Sequence, residues 1–263
     1  MTLKTKTLNI SLLLVIVIFL PWLALIYLIA GVYDVSRNRP LNIELFKTYF
    51  MGMGIPTFIF SPINMALDFL TLPFLNKKIY KLNELPKPYI KEINAIINVA
   101  SNQSMIDSMN AKMQGVERGM VFYQWYGFNV ENSIENPIFN KKFKYIKTVG
   151  VSIFNKKVTT NKHFGPFRAT LRVLYNINDI QSKDSYISTM GENSHWNENK
   201  LFIFDDTLLH QSVNQTDEVR YCMFIDILRP SILPFILSGF VTIFGFLFKK
   251  INLIFYKSWK PLA

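Results

Sequence analysis

The sequence predicts a mainly β protein: a double-stranded β-helix (jelly roll) with flanking helices and apolar membrane segments at both ends. Three observations predict it. Between Lys144 and Ile227, short strand-like runs are separated by turns rich in Asn, Lys and Gly, a pattern of double-sheet β folds rather than of a parallel α/β sheet. Hydrophobic residues make up 50% of the chain and charged residues 18%, and the excess is gathered into blocks instead of being spread through a core. Finally, His163 and His210 lie far apart, with strand-like sequence between them.

Taken in order, Ile10–Val32 carries no charge. At about 1.5 Å per residue it reaches roughly 34 Å, enough for a hydrocarbon core of about 30 Å. Residues 1–40 are therefore expected to form a transmembrane anchor, which Pro21 kinks or splits into a re-entrant pair; a cleaved signal peptide is the competing reading. Phe50–Phe74 is apolar but broken by Gly52, Gly54, Pro56, Pro62, Asp68 and Pro73. Residues 41–84 accordingly read as a segment lying in the membrane interface, or else as a buried piece of the domain that follows. That domain is expected over 85–230. Its first element is an amphipathic helix within Pro86–Ser101, with Ile90, Ile93, Ile96 and Ile97 at helical spacing. Met113–Trp125 is ambiguous. Strands are expected at Lys144–Val149, Val151–Phe154, Thr170–Ile177, Leu201–Phe204 and Val219–Ile227. Residues 231–263 form a C-terminal membrane-associated segment, a second span or a surface element, weakened as a span by Pro234 and Gly239.

The formal charge is +11. No nucleic-acid-binding signature accompanies it, and the cations cluster near the apolar blocks, so an anionic lipid surface suits them better than nucleic acid. Cys222 is the only cysteine, which rules out an internal disulfide and suits a reducing compartment.

Alternation puts Arg172 on one strand face with Thr170, Leu174 and Asn176, and Arg220 on one face with Cys222, Phe224 and Asp226. A guanidinium pointing into an apolar barrel needs an anion, and a planar carboxylate fits its fork. The plainer readings are that Arg220 faces water or pairs with Asp226 or Asp205. Two histidines on distant strands could share a metal, whereas zinc-finger ligands cluster around cysteines. A structural or surface histidine is the alternative for each, and it is the expected role of His195 in its polar stretch. Asp206, four residues before His210, could orient that imidazole.

The motifs themselves go further. Ser152–Ile153, His163–Phe164–Gly165–Pro166, Leu171–Arg172, the WNENK run Trp196–Lys200, the IFDDTLLH run ending at His210, Arg220 and the DILRP run Asp226–Pro230 follow one another in an order that resembles the aspartyl/asparaginyl β-hydroxylase family of Fe(II)/2-oxoglutarate dioxygenases. The closing motif is most similar to the branch that 2-hydroxylates lipid A acyl chains. Weaker likeness extends to Trp125–Tyr126 and to Ser61–Asn64. The resemblance implies that His163 and His210 hold Fe(II), that Ser152 and Arg220 bind the far carboxylate of 2-oxoglutarate, that Arg172 and Trp125 line the same pocket, and that Asp206 acts from behind the ligands. It also implies a reaction in which O2 converts 2-oxoglutarate to succinate and CO2 while a C–H bond of a membrane lipid is hydroxylated. The catalytic domain is then expected on the cytoplasmic face of the inner membrane. Two positions depart from the pattern. Gly165 stands where the lipid A branch has an aspartate, as in the animal peptide hydroxylases, and Leu174 replaces a common histidine. The rival readings are a hydroxylase of a protein Asp or Asn side chain and a non-catalytic membrane module whose iron site has decayed.

Overall fold

The structure, a computed structural model, describes residues 20–71, 77–101, 103–131, 133–134, 136–248 and 259–262. Its frame is a large sheet with strand order β1-β9-β6-β11-β4-β2-β12, and β3 pairs with β2 outside this path. These strands are β1 (Ile79–Tyr80), β2 (Arg118–Trp125), β3 (Phe128–Asn129), β4 (Ile146–Phe154), β6 (Thr170–Asn176), β9 (Leu201–Phe204), β11 (Arg220–Leu228) and β12 (Lys260–Pro261). All pairings are antiparallel except that of β12 on β2. A smaller antiparallel sheet has the order β5-β10-β7-β8, from β5 (Val158–Thr159), β7 (Ser185–Thr189), β8 (Glu192–His195) and β10 (His210–Asn214).

The two faces of the large sheet do different work, as the alternation of β6 and β11 predicts. Val173, Tyr221, Met223, Ile225 and Ile227 turn toward helix α4 (Lys87–Ala100), which buries Tyr89, Ile93 and Ile96 against them. The carboxylate of Glu92 on that helix accepts the backbone N–H groups of Lys144, Tyr145 and Ile146 at 3.0, 2.9 and 3.1 Å, fixing the start of β4. Helix α5 (Gln103–Lys112) adds Met105 and Met109. On the opposite face Met120, Leu174, Phe204, Cys222 and Phe224 meet Ile187 and Trp196 of the small-sheet side. Burial is thus two-sided, and β11 is buried along its whole length.

Leu201–Phe204 forms as expected, and Thr170–Ile177 and Val219–Ile227 form with ends moved by a residue. The two strands expected on either side of Gly150 are one. Gly150 lies opposite Phe122 and Phe224, where a Cβ would stand 2.7 Å from the Val121 carbonyl oxygen. The glycine therefore permits close backbone approach and does not mark a turn.

Four helices gather the apolar blocks: α1 (Pro21–Ser36), α2 (Ile43–Met51), α3 (Ile55–Thr71) and α6 (Pro234–Leu247). Pro21 opens α1 at its first turn, where its missing N–H is no loss. The Ile10–Phe19 part of the expected span and the Lys249–Tyr256 stretch lie outside the described residues, as does Pro73. No single helix among the described residues is long and apolar enough to cross a membrane; α2 and α3 would qualify by length and composition only as a pair, and they are bent by 91°. Helix α6 packs through Phe244 on Phe60 of α3 and on Phe167, with ring centroids 5.3 and 4.7 Å apart.

The charges inside these blocks turn inward. Arg168 holds Asp34 of α1 at 2.7 Å and Asp68 of α3 at 2.8 Å. Arg229 holds Asp68 at 3.2 Å and Asp205 at 2.6 Å, and Arg37 holds Asp205 at 2.8 Å. Arg37, one of the cations near the apolar blocks that suggested a lipid surface, is instead buried, with Asp205 supplying its counter-charge. Three carboxylates and three guanidiniums balance, which is what makes their joint burial tolerable.

Candidate active site

A cavity of about 130 Å³ opens between the two sheets, and its lining includes Trp125, Ser152, His163, Arg172, Asp206, His210 and Arg220. Every candidate residue of the sequence reading is among them. Topology explains the convergence: β4, β6 and β11 are adjacent in the large sheet, while His210 starts β10 in the small one.

His163 reaches His210 through a short antiparallel bridge. Each backbone N–H donates to the other's carbonyl at 3.0 Å, and the ring centroids stand 4.2 Å apart. The Nδ1 atoms lie 2.8 Å from the carbonyl oxygens of Asn161 and Leu208 respectively. A carbonyl only accepts, so Nδ1 carries the proton in both neutral rings and each Nε2 keeps its lone pair. Burial pushes both imidazole pKa values down, and His163 adds to the effect on His210. Two neutral imidazoles with a lone pair on Nε2 suit a shared transition metal. Among the described residues no group of three or more His, Cys, Asp or Glu side chains is arranged to hold a metal ion; the cavity offers the two imidazoles as a pair.

Asp206 is committed elsewhere. Its carboxylate binds Arg172 Nη2 at 2.7 Å, and Arg172 Nε donates to Asp226 at 2.6 Å. Burial, and then the carboxylates of Asp226 and Asp205, push the Asp206 pKa up against the pull of Arg172. Arg172 lies over the Phe224 ring at 3.6 Å. It is a cavity wall already neutralised by protein carboxylates. Gly165 now has a physical reason: a Cβ there would fall on the Asp206 carboxylate, which occupies the space that an aspartate at 165 would need.

Arg220 is the opposite case. It is 1% exposed and no carboxylate pairs with it among the described residues. Nη2 donates to Ser212 Oγ at 2.8 Å, Nη1 contacts the Val213 carbonyl at 3.3 Å, and Nε has no partner there. The Phe154 ring lies 4.0 Å from the guanidinium carbon. Burial lowers its pKa to about 10. Asp226 and Asp205, the partners that the plainer reading allowed, are taken by Arg172 and by Arg229 and Arg37. Ser152 stands opposite Cys222 on the neighbouring strand and donates to its carbonyl at 3.2 Å. Trp125 packs at the edge, 4.8 Å from Phe122 and 4.7 Å from Tyr126 between ring centroids. His195 is outside the cavity, its Nδ1 bonded to the Lys183 carbonyl at 2.7 Å, in keeping with the bland role expected of it.

Sequence reasoning missed Ser212, Phe244 and Trp259 as lining residues. Ser212 shares the cavity-facing side of β10 with His210 by period-two alternation, a signal the sequence did hold. Phe244 arrives from α6 by long-range packing that no local pattern announces.

An ornithine lipid ester-linked acyl 2-hydroxylase of Rhizobium tropici is 31% identical over 91 residues, 34% of this chain and 32% of that protein. The chain thus spans about a third of that relative's length. Among solved structures, an oxidoreductase of the 2OG-Fe(II) oxygenase family from Burkholderia pseudomallei overlaps 51% of this chain and 83% of its own, at 9% identity and a TM-score of 0.29. A salicylate 1,2-dioxygenase from Pseudaminobacter salicylatoxidans overlaps 47% and 31%, at 9% identity and the same TM-score of 0.29. Likeness at that level says nothing about chemistry. The family model for aspartyl/asparaginyl beta-hydroxylases, by contrast, matches residues 99–230, half of the chain and nearly all of the β framework that holds the cavity, and the chain belongs to that family.

Proposed function

We propose that this protein is a membrane-associated Fe(II)/2-oxoglutarate-dependent dioxygenase that hydroxylates an acyl chain of a membrane lipid of the lipid A or ornithine lipid kind. The observation that carries the reading is Arg220: a buried guanidinium without a carboxylate partner among the described residues, in a cavity shared with two imidazoles whose Nδ1 hydrogen bonds leave the lone pair on Nε2. Ser212, which Arg220 touches, lies two residues along β10 from His210. That is roughly 7 Å along a strand, a separation suited to a five-carbon dicarboxylate.

In this reading His163 and His210 hold Fe(II), and Arg220 with Ser152 receives the far carboxylate of 2-oxoglutarate as a charge-assisted pair. When bound, the metal would let O2 serve as the oxidant, with one oxygen atom going to the acyl C–H bond and the other to succinate as 2-oxoglutarate loses CO2. The chain's own residues bind, orient and exclude water. Asp206 and Asp226 hold Arg172 away from the cosubstrate's charge and fix the wall beside His163 and His210. Leu174, Ile187, Phe204, Phe224 and Phe244 line the same cavity and give it a surface for alkyl chain; Leu174, in the place of a polar family residue, favours lipid over a peptide side chain. Reduced iron and 2-oxoglutarate are cytosolic, so the catalytic domain faces the cytoplasm. The relative from Rhizobium tropici supports the substrate class.

Purified protein is expected to convert 2-oxoglutarate to succinate, with His163→Ala losing iron and Arg220→Ala losing cosubstrate affinity. Mass spectrometry of membrane lipids with and without the gene should show an acyl chain shifted by one oxygen. Absence of any such shift would remove the lipid substrate, and absence of succinate formation by folded, iron-loaded protein would remove the dioxygenase reading.

A further inference from the structure

Helix α3 is built inside out. A helix of a water-soluble domain turns its apolar stripe inward and its polar face to solvent. Here the buried residues include Thr57, Ser61, Asn64, Asp68 and Thr71, repeating at helical spacing, whereas Ile55, Ile59, Ile63 and Phe69 are 40, 54, 42 and 68% exposed.

The inner face grips the segment that begins at His163. Thr57 Oγ1 donates to the Gly165 carbonyl at 2.9 Å, and Asn64 Nδ2 donates to the Pro166 carbonyl at 3.0 Å. Asn64 Oδ1 accepts the Arg168 N–H at 2.9 Å. On its other side the Gly165 N–H donates to the Asp206 carbonyl at 2.6 Å. Both Thr57 and Asn64 are fully buried. Between Gly165 and Arg168, α3 thus satisfies three backbone groups, the carbonyls of Gly165 and Pro166 and the N–H of Arg168.

The outer face continues onto its neighbours. Apart from Ile138, every exposed large hydrophobic residue among the described residues lies within 20–69 or 232–247, on α1, α2, α3, α6 and the turns beside them. No charged residue occurs between Thr48 and Leu67 or between Ser231 and Phe248, while Arg39, Glu44 and Lys47 are exposed at the margin. A protein partner calls for a polar rim within the patch. A surface without charge at its centre, and with two cations to one anion at its edge, fits the interface of a bilayer carrying anionic lipid.

We infer that α3 is a bilayer-seated clamp: its outer face lies among acyl chains, and Thr57 and Asn64 on its inner face are positioning residues for the loop that carries His163. The inference rests on the iron reading above and adds to it that the metal centre is completed from the apolar N-terminal block.

The test uses the full chain in detergent, with Co(II) as a spectroscopic stand-in for Fe(II). Thr57→Val is close to isosteric and removes one donor; Asn64→Asp keeps the acceptor and removes the other donor. Each is expected to weaken Co(II) binding about five- to tenfold, as loss of one buried hydrogen bond implies, while Thr57→Ser binds like the wild type. Ile59→Glu with Ile63→Glu is expected to leave Co(II) affinity unchanged and to abolish co-flotation with phosphatidylglycerol-containing vesicles, which Ile138→Glu retains. Unchanged Co(II) affinity in folded Thr57→Val and Asn64→Asp would overturn the positioning role. Persistent flotation of the outer-face variant would overturn the lipid seat. A wild-type protein that binds no Co(II) would overturn the iron reading as well, and is separable from both.

Discussion

Replacing Arg220 with Met tests the reasoning at its most exposed point, because it should strengthen the empty protein and disable it together. Burial lowers the Arg220 pKa to about 10, well below the ordinary arginine value. At about 1.4 kcal/mol per unit this corresponds to roughly 3 kcal/mol of destabilisation when the cation has no anion to meet. The variant also forfeits the hydrogen bond to Ser212 Oγ at 2.8 Å and the stacking on Phe154, together worth about 1–2 kcal/mol. The net gain is on the order of 1–2 kcal/mol, or about 2–6 °C in the melting temperature of the metal-free protein. The guanidinium stays charged across the accessible pH range, so the penalty is present throughout it. The gain should therefore be flat from neutral to mildly alkaline pH. Cosubstrate binding should fall at least about thirtyfold, since a buried charge pair is lost. Differential scanning fluorimetry with and without 2-oxoglutarate, followed by calorimetric titration, measures both. A variant that melts lower and still binds 2-oxoglutarate would show that Arg220 is a structural cation, and the cosubstrate assignment would fall with it.

Three further outcomes are expected. Gly165→Ala drives a methyl into the Asp206 carboxylate and should lower stability by about 1–3 kcal/mol; adding Asp206→Ala should recover much of that loss in a double-mutant melting experiment. Asp205→Asn breaks a buried ion cluster and should cost about 3–5 kcal/mol. Burial opposes the Asp205 charge, but Arg229, Arg37 and Arg168 outweigh it and hold its carboxyl far below the usual 3.8. Its stabilisation is thus complete above that value and lost as pH falls below it, so Asp205→Asn should flatten the acid side of the melting-temperature profile. His163→Ala and His210→Ala should each abolish the absorption band that Fe(II) and 2-oxoglutarate give together under anaerobic titration; a band surviving in both would move the metal elsewhere.

The sequence made the site more legible than the fold around it. Alternation alone placed Arg172 and Arg220 on the cavity face, because both strands are regular and a strand has only two faces. What each arginine does could not be read locally. Arg172 meets Asp206 and Asp226, and Arg220 meets no acid among the described residues, because of which strands are neighbours. The small sheet was the harder part. Its strands β7 and β8 read SYIST and ENSH, short and polar, with Ile187 their one large apolar residue, so that neither length nor hydropathy separates them from loops. Gly150 misled in the other direction. Its close approach to Val121 is a fact of strand pairing that single-strand reasoning does not contain.

The apolar blocks show where hydropathy is a weaker guide than the charges embedded in it. Asp34, Arg37 and Asp68 looked like flanks and interruptions of membrane segments. A carboxylate or guanidinium facing lipid is costly enough to be rare without a partner, so each such charge implies a protein group that meets it. Those groups are Arg168, Asp205 and Arg229, which sit immediately beside the functional stretch: Arg168 follows the HFGP loop, Asp205 precedes Asp206, and Arg229 follows β11. The same clustering in sequence is what ties α1 and α3 to the cavity wall in space. An apolar block of this kind is therefore part of the catalytic unit wherever its internal charges find partners in the barrel. Separating the two by truncation at residue 84 should strand Arg168, Arg229 and Asp205 with too few counter-charges and yield a barrel that does not fold.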